Sequence, residues 1–257
     1  MIKIMLSILV VFAGIAAQAK IVNKQIDYKD GDYQLQGYLV YDDQIKTPKP
    51  GVLVVHEWMG LGAFAMSKAD ELAKLGYVAF AADIYGKGIR PKDQGEAGQF
   101  ATKYKSDRPM LRGRIAAALK TLRAQKNVDT NRIGAIGFCF GGTTVLELAR
   151  SGADVKAVVT FHGGLNNPTP QDAKNIKARV LVLHGANDPY VDEKEVQAFT
   201  QEMKAANVDW QFHSFSGAVH SFTVPDAGID PSKGAAYNPT AAKRAWALMK
   251  DFFKETL

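Results

Sequence analysis

Cysteine is nearly absent. Cys139 is the only one in 257 residues, so no intramolecular disulfide can form, and in any compartment the fold rests on its core. Basic clusters are missing as well. The 32 Lys and Arg stand against 26 Asp and Glu, a net charge of +6, spread along the chain in a way that serves solubility and points away from nucleic acid as a partner. There is neither a phosphate-binding glycine loop nor a G-x-G-x-x-G fingerprint. His56-Glu57 opens like the zinc motif H-E-x-x-H, but Gly60 occupies the place of its second histidine, so no motif implies a metal or other cofactor. Low-complexity linkers, internal repeats and composition shifts are missing after residue 20, which predicts one domain over residues 20–257. A chain that is 47% hydrophobic and 23% charged is neither disordered, collagenous nor a coiled coil.

The first twenty residues differ in kind from the rest. Lys3 supplies a short positive segment, Ile4 to Ala16 is apolar apart from Ser7, and Ala17-Gln18-Ala19 has the small-x-small form of a cleavage site. The apolar run falls short of the roughly 20 residues that span a bilayer. The expectation is a signal peptide removed after Ala19, export to a periplasm or the medium, and no membrane span after processing.

Beyond the leader the period of the hydrophobic pattern alternates. Lys24 to Tyr41 alternates about an Asp30-Gly31 turn, as an antiparallel hairpin does. Gly51–His56, Tyr77–Ile84, Arg132–Gly137, Val155–Phe161, Val180–His184 and Asp209–Phe215 read as strands. Helical spacing is found over Lys68–Leu75, Gln94–Lys105, Arg112–Ala124, Thr143–Arg150, Glu193–Ala205 and Thr240–Lys254. Such alternation predicts an α/β fold, a mostly parallel sheet with helices on both faces. Ligand sites in such sheets lie beyond the carboxyl ends of the strands, and most of the reactive side chains of this sequence follow a predicted strand.

Cys139 lies in Gly137-Phe138-Cys139-Phe140-Gly141-Gly142 between a strand and a helix. This is the spacing of a nucleophile elbow with sulfur in place of oxygen, and its tight turn demands small residues two before and two after the nucleophile. A thiol nucleophile needs a base, and the base an orienting group. His220, after the last strand and before the last helix, and Asp188, after the preceding strand, complete the chain order nucleophile, acid, histidine of α/β hydrolases. Asp192 reads as an N-cap instead. His162 falls at the same end of the sheet and is expected to line the substrate pocket; His184 is expected to be structural and His213 to lie at the surface.

His56-Glu57-Trp58, Asp83-Ile84-Tyr85-Gly86, the cysteine elbow, Gly185-x-x-Asp188 and Gly217-x-x-His220-Ser221-Phe222 resemble, in order and spacing, the dienelactone hydrolase family of α/β hydrolases. The resemblance runs over essentially the whole processed chain. It implies a Cys139–Asp188–His220 triad, an oxyanion hole formed by the backbone N–H groups of Trp58 and Phe140, and a Glu57 that holds the resting thiol and takes its proton when substrate arrives. The implied reaction is hydrolysis of small esters or lactones through an acyl-enzyme. Apart from the resemblance, a small-molecule substrate is the expected partner, the enzyme is expected to be a monomer, and no motif implies a cofactor. Where family members hold the dienelactone carboxylate with arginines, this sequence has Lys87 and Val224. Lysine keeps the charge without the fork, and valine keeps neither, so dienelactone itself is not expected to be a favoured substrate.

Two other classes compete. A cysteine amidase or peptidase of the amidotransferase type pairs its cysteine with His-x-Glu, whereas Ser221-Phe222 follows His220 here. A non-catalytic binding or thiol redox-sensing protein on a hydrolase fold would keep Cys139 without ester turnover.

Overall fold

The computed structural model describes residues 20–257; the expected leader lies outside the described residues. The chain opens with β1 (Ile21–Asp30) and β2 (Tyr33–Asp42), an antiparallel hairpin whose tip is Gly31 at φ 58°, a left-handed conformation that glycine adopts without a Cβ penalty. Then come β3 (Lys49–Val55), α1 (Ala63–Lys74), β4 (Val78–Ala82), α2 (Gln94–Ser106), α3 (Arg108–Arg123) and β5 (Val128–Phe138). The chain closes with α4 (Phe140–Arg150), β6 (Ala157–Phe161), β7 (Arg179–Gly185), α5 (Glu193–Ala205), β8 (Trp210–Phe215) and α6 (Pro239–Thr256). The strands form one eight-stranded sheet in the order β1-β2-β4-β3-β5-β6-β7-β8. From β4 to β8 every pairing is parallel, and β2 joins β4 antiparallel. This is the α/β-hydrolase arrangement that the sequence pattern and the resemblance predicted.

The sheet has a core on each face, and the pleat sorts side chains between them. On β3, Leu53 and Val55 join the core covered by α3 and α4, while Val52 and Val54 join the one covered by α1 and α6. Val78, Phe80 and Ala82 alternate with Ala79 and Ala81 in the same way on β4. Strands buried on both faces account for the continuous apolar runs in the sequence.

Helix starts are set by caps. Asp93, Asp107, Asp192 and Asn238 each accept a backbone N–H of the first turn of α2, α3, α5 and α6, supplying partners that helix termini otherwise lack. The α4 helix is tied down at its far end. The buried Arg150 pairs with Glu147 at 3.1 Å and with Glu202 of α5 at 2.8 Å, and donates to the Leu165 carbonyl at 3.0 Å. A buried ion pair of this kind fixes α4 geometrically, because losing one partner would strand the other charge. Among the described residues no helix is long and apolar enough to cross a membrane.

Candidate active site

Because β3 to β8 are parallel, their carboxyl ends open on one edge, where Glu57 and Trp58, Cys139, His162, Asp188 and His220 follow successive strands. The Cys139 turn is the tightest point. Its backbone has φ 53° and ψ −113°, a strained conformation for a non-glycine residue that persists only where its surroundings impose it. Its glycines show why. A Cβ on Gly137 would overlap the Gly141 carbonyl, and one on Gly141 would lie 2.6 Å from the His56 carbonyl oxygen. One on Gly142 would lie 2.7 Å from Gly163 Cα. Of the four non-glycine residues with positive φ among those described, Cys139, His162 and Ser221 are all at this edge.

His220 is oriented through a carboxylate that makes two contacts. Asp188 Oδ2 lies 2.7 Å from His220 Nδ1, while its Oδ1 accepts the Tyr190 N–H at 2.9 Å. The His220 ring packs edge-on against His162 and Tyr190, at centroid separations of 5.3 and 5.2 Å. Burial works against a charged His220, yet the neighbouring Cys139 sulfur and the Asp188 carboxylate outweigh it and raise the imidazole to about 10. Cys139 and His220 share a cavity of about 380 Å³ with Trp58, Phe140, Tyr190 and Val191 in its wall.

Two residues of the cavity wall carry free backbone donors. Phe140 opens α4, and its N–H and that of Trp58 have no hydrogen-bond acceptor among the described residues. Orphan donors at a helix N-terminus suit an anionic oxygen. The turn presenting Trp58 is pinned by His56, whose Nε2 accepts the Ile84 N–H at 3.3 Å. Burial keeps that imidazole neutral, down to about 4. The partial zinc motif therefore has a structural reading, and among the described residues no group of three or more His, Cys, Asp or Glu side chains is arranged to hold a metal ion.

Three sequence expectations are corrected here. Lys87 does not face the cavity: its ammonium pairs with Asp27 of β1 at 2.5 Å, a partner 60 residues away that no local pattern announces. His162 does not line the cavity either. It is buried, 1% exposed, with Nε2 2.7 Å from Thr223 Oγ1 and Nδ1 accepting the Cys139 backbone N–H at 3.2 Å. Glu57 makes no hydrogen bond to Cys139 among the described residues; the sulfur instead shares the cavity wall with His220. Arg90 offers no replacement for Lys87, because it is engaged by the Leu61 and Ile89 carbonyls and lies 3.8 Å from Asp83. Sequence reasoning missed Lys105 on α2, an exposed cation in the cavity wall. Its position in the helix was readable, but not the face that α2 turns to the site.

Glu57 carries a stability prediction. Burial is the main cause that pushes its carboxyl up to about 7, with His220 opposing and Asp226 adding to the effect. A folded-state pKa above the unfolded value of about 4.5 means that no penalty exists below pH 4.5 and that stability falls as pH rises through 7. Glu57→Gln should therefore stabilise the protein at pH 8 by about 3–4 kcal/mol, since each tenfold change in proton affinity is worth about 1.4 kcal/mol, and leave it unchanged at pH 4. Urea unfolding of both proteins at the two pH values measures this, and equal stability at pH 8 would show that Glu57 is not desolvated.

A parallel sheet, a strained elbow leading into a helix, and an Asp–His pair in the loops after β7 and β8 define an α/β hydrolase. The model of the dienelactone hydrolase family matches residues 35–257, and the chain belongs to that family, hydrolases that act on ester or lactone bonds. Among solved structures, the chain is similar to one named m3DLH, at 44% identity and a TM-score of 0.88 over 92% of this chain and 99% of that one. It is also similar to a dienelactone hydrolase-like promiscuous phosphotriesterase from metagenomic libraries, at 42% identity and a TM-score of 0.89 over 93% and 99%. The protein usf of Aquifex pyrophilus is 30% identical across 92% of this chain and all of its own length.

Proposed function

We propose that the protein is an exported cysteine hydrolase that cleaves small esters or lactones through a Cys139–His220–Asp188 triad and a thioester intermediate. The observation that carries this reading is the Asp188–His220 contact of 2.7 Å beside a strained cysteine elbow in the same cavity. The Cys139 thiolate attacks the carbonyl carbon, forming the C–S bond, and the carbonyl electron pair moves to oxygen. The N–H groups of Trp58 and Phe140 hold that oxyanion. As the tetrahedral species collapses, His220 gives its proton to the leaving oxygen. Neutral His220 then takes a proton from water, whose oxygen attacks the thioester, and the sulfur departs as thiolate beside the restored imidazolium. Asp188 keeps the ring in register throughout. Glu57, a carboxyl that burial raises to about 7, interacts with the charge of His220 from beside Trp58.

Substrate charge follows from the same wall. Lys87 is committed to Asp27, and Val224 is buried and apolar, which leaves Lys105 as a solvated single cation without a bidentate fork. Exposed ion pairs of that kind contribute about 0–1 kcal/mol, less than tenfold in binding. Neutral esters and lactones should therefore match or exceed dienelactone in kcat/KM. A panel of esters and lactones with and without a carboxylate measures this; dienelactone ahead of every neutral ester by several powers of ten would overturn the assignment of the pocket's charge.

A further inference from the structure

His162 touches both halves of the catalytic arrangement without lining the cavity. It follows β6 directly, with φ 41°, a left-handed conformation at the strand's end. Its Nδ1 faces the backbone N–H of Cys139 at 3.2 Å, a donor that Phe161 O shares at 3.0 Å. On the other side its Nε2 lies 2.7 Å from Thr223 Oγ1, three residues past His220 on the same loop. Its own N–H is held by Leu183 O of β7 at 2.9 Å. The imidazole thus joins the nucleophile's turn to the base's loop, while the backbone of the same residue is held by the strand that leads to Asp188.

The chemistry fixes its tautomer. Since the Cys139 backbone N–H can only donate, Nδ1 must be the acceptor, so the proton sits on Nε2 and is donated to Thr223. A protonated ring would lose the contact to Cys139. It would also set a second cation at a centroid distance of 5.3 Å from His220, in a site with little solvent to screen it. Burial, with the charge of His220 adding to it, keeps His162 neutral. Cys139, Asp188, Glu57 and His184 are the titratable groups that interact with His220 at this corner.

We propose that His162 is a positioning residue that sets the His220 loop against the Cys139 elbow through its hydrogen bond to Thr223. This rests on the Cys139–His220 pair being the reacting pair. The decisive comparison is between Thr223→Val, nearly the same shape without the hydroxyl, and Thr223→Ser, which restores it. Thr223→Val should lower kcat five- to tenfold, the effect of one buried hydrogen bond, with KM within twofold, and Thr223→Ser should recover most of the loss. The pH profile of Cys139 alkylation by iodoacetamide should move in Thr223→Val and return in Thr223→Ser, a readout that a purely structural threonine would leave still. His162→Asn keeps an acceptor near the Cys139 N–H but cannot reach Thr223, and adding Thr223→Val to it should cost less than twofold more. A Thr223→Val enzyme with kcat within twofold of the parent and an unmoved alkylation profile would overturn the proposal, as would multiplying effects in the double variant. Should His162→Asn fail to fold, the two threonine variants decide alone. Full activity in Cys139→Ala would instead defeat the underlying pair.

Discussion

Cys139→Ala should lose at least about 10⁴-fold in kcat/KM on any ester the enzyme turns over, and His220→Ala should lose a comparable factor. The two groups act as one unit. Without the sulfur there is no nucleophile for His220 to serve, and without the imidazole neither the leaving oxygen nor the attacking water has a proton partner. Effects within such a unit are strongly non-additive, so the double variant should fall little below the worse single one. Asp188→Ala should be milder, because the carboxylate orients and charges His220 without meeting the substrate. The residual rate reports what the Trp58 and Phe140 N–H groups contribute with the binding cavity alone. Steady-state kinetics on the four variants measure this, and near-normal turnover in His220→Ala would remove the base from the account.

The second large effect is on the fold of the site. Gly137→Ala would place a methyl group on the Gly141 carbonyl, backbone against backbone, where no side chain can move away. Overpacking of this kind lies at the extreme of single substitutions, and we expect a loss above about 4 kcal/mol. For a chain of this size that is a fall of roughly 8–16 °C in Tm, or failure to accumulate as soluble protein. Gly98→Ala is the control. It lies inside α2 with nothing within 4 Å of the new Cβ, so it should hold or raise stability, as alanine does in a helix. Thermal unfolding of both variants decides the matter; a Gly137→Ala protein as stable as its parent would mean that the turn is not held as tightly as its contacts require.

Much of this architecture was readable from period and punctuation alone. The β1–β2 hairpin, the buried strands, the Asp192 cap and the elbow glycines were each set by local chemistry, and local chemistry is what a sequence displays. Helix starts were harder. The α1 helix begins at Ala63 behind Gly62, which offers no capping side chain, so nothing marked its start ahead of the periodic stretch from Lys68. For α3 a signal was present in Asp107-Arg108-Pro109, a cap followed by proline in the first turn, and the helix starts there instead of at Arg112. The α4 helix starts at Phe140, since Gly141 and Gly142 serve close packing and not a loop.

At the site, chain order assigned Cys139, Asp188 and His220 to one edge of the sheet, because β5 to β8 lie side by side in chain order. Pairings across the fold were not readable. Lys87 meets Asp27 only because β2 inserts the hairpin beside β4, and His162 meets Thr223 only because two strand ends converge. Glu57 was legible as a residue of the site but not in its partner. The charge on His220 depends on how closely sulfur and carboxylate are packed around it, which no one-dimensional pattern encodes.

The central claim, covalent catalysis by Cys139, is tested most directly by rapid acid quench during turnover of a slowly hydrolysed ester, followed by intact-mass and peptide mass spectrometry. The account predicts a protein heavier by one acyl group, with the adduct on the peptide containing Cys139, formed in a burst and lost as substrate is exhausted. Steady turnover with no adduct, or an acyl group carried by another residue such as Ser221, would contradict it.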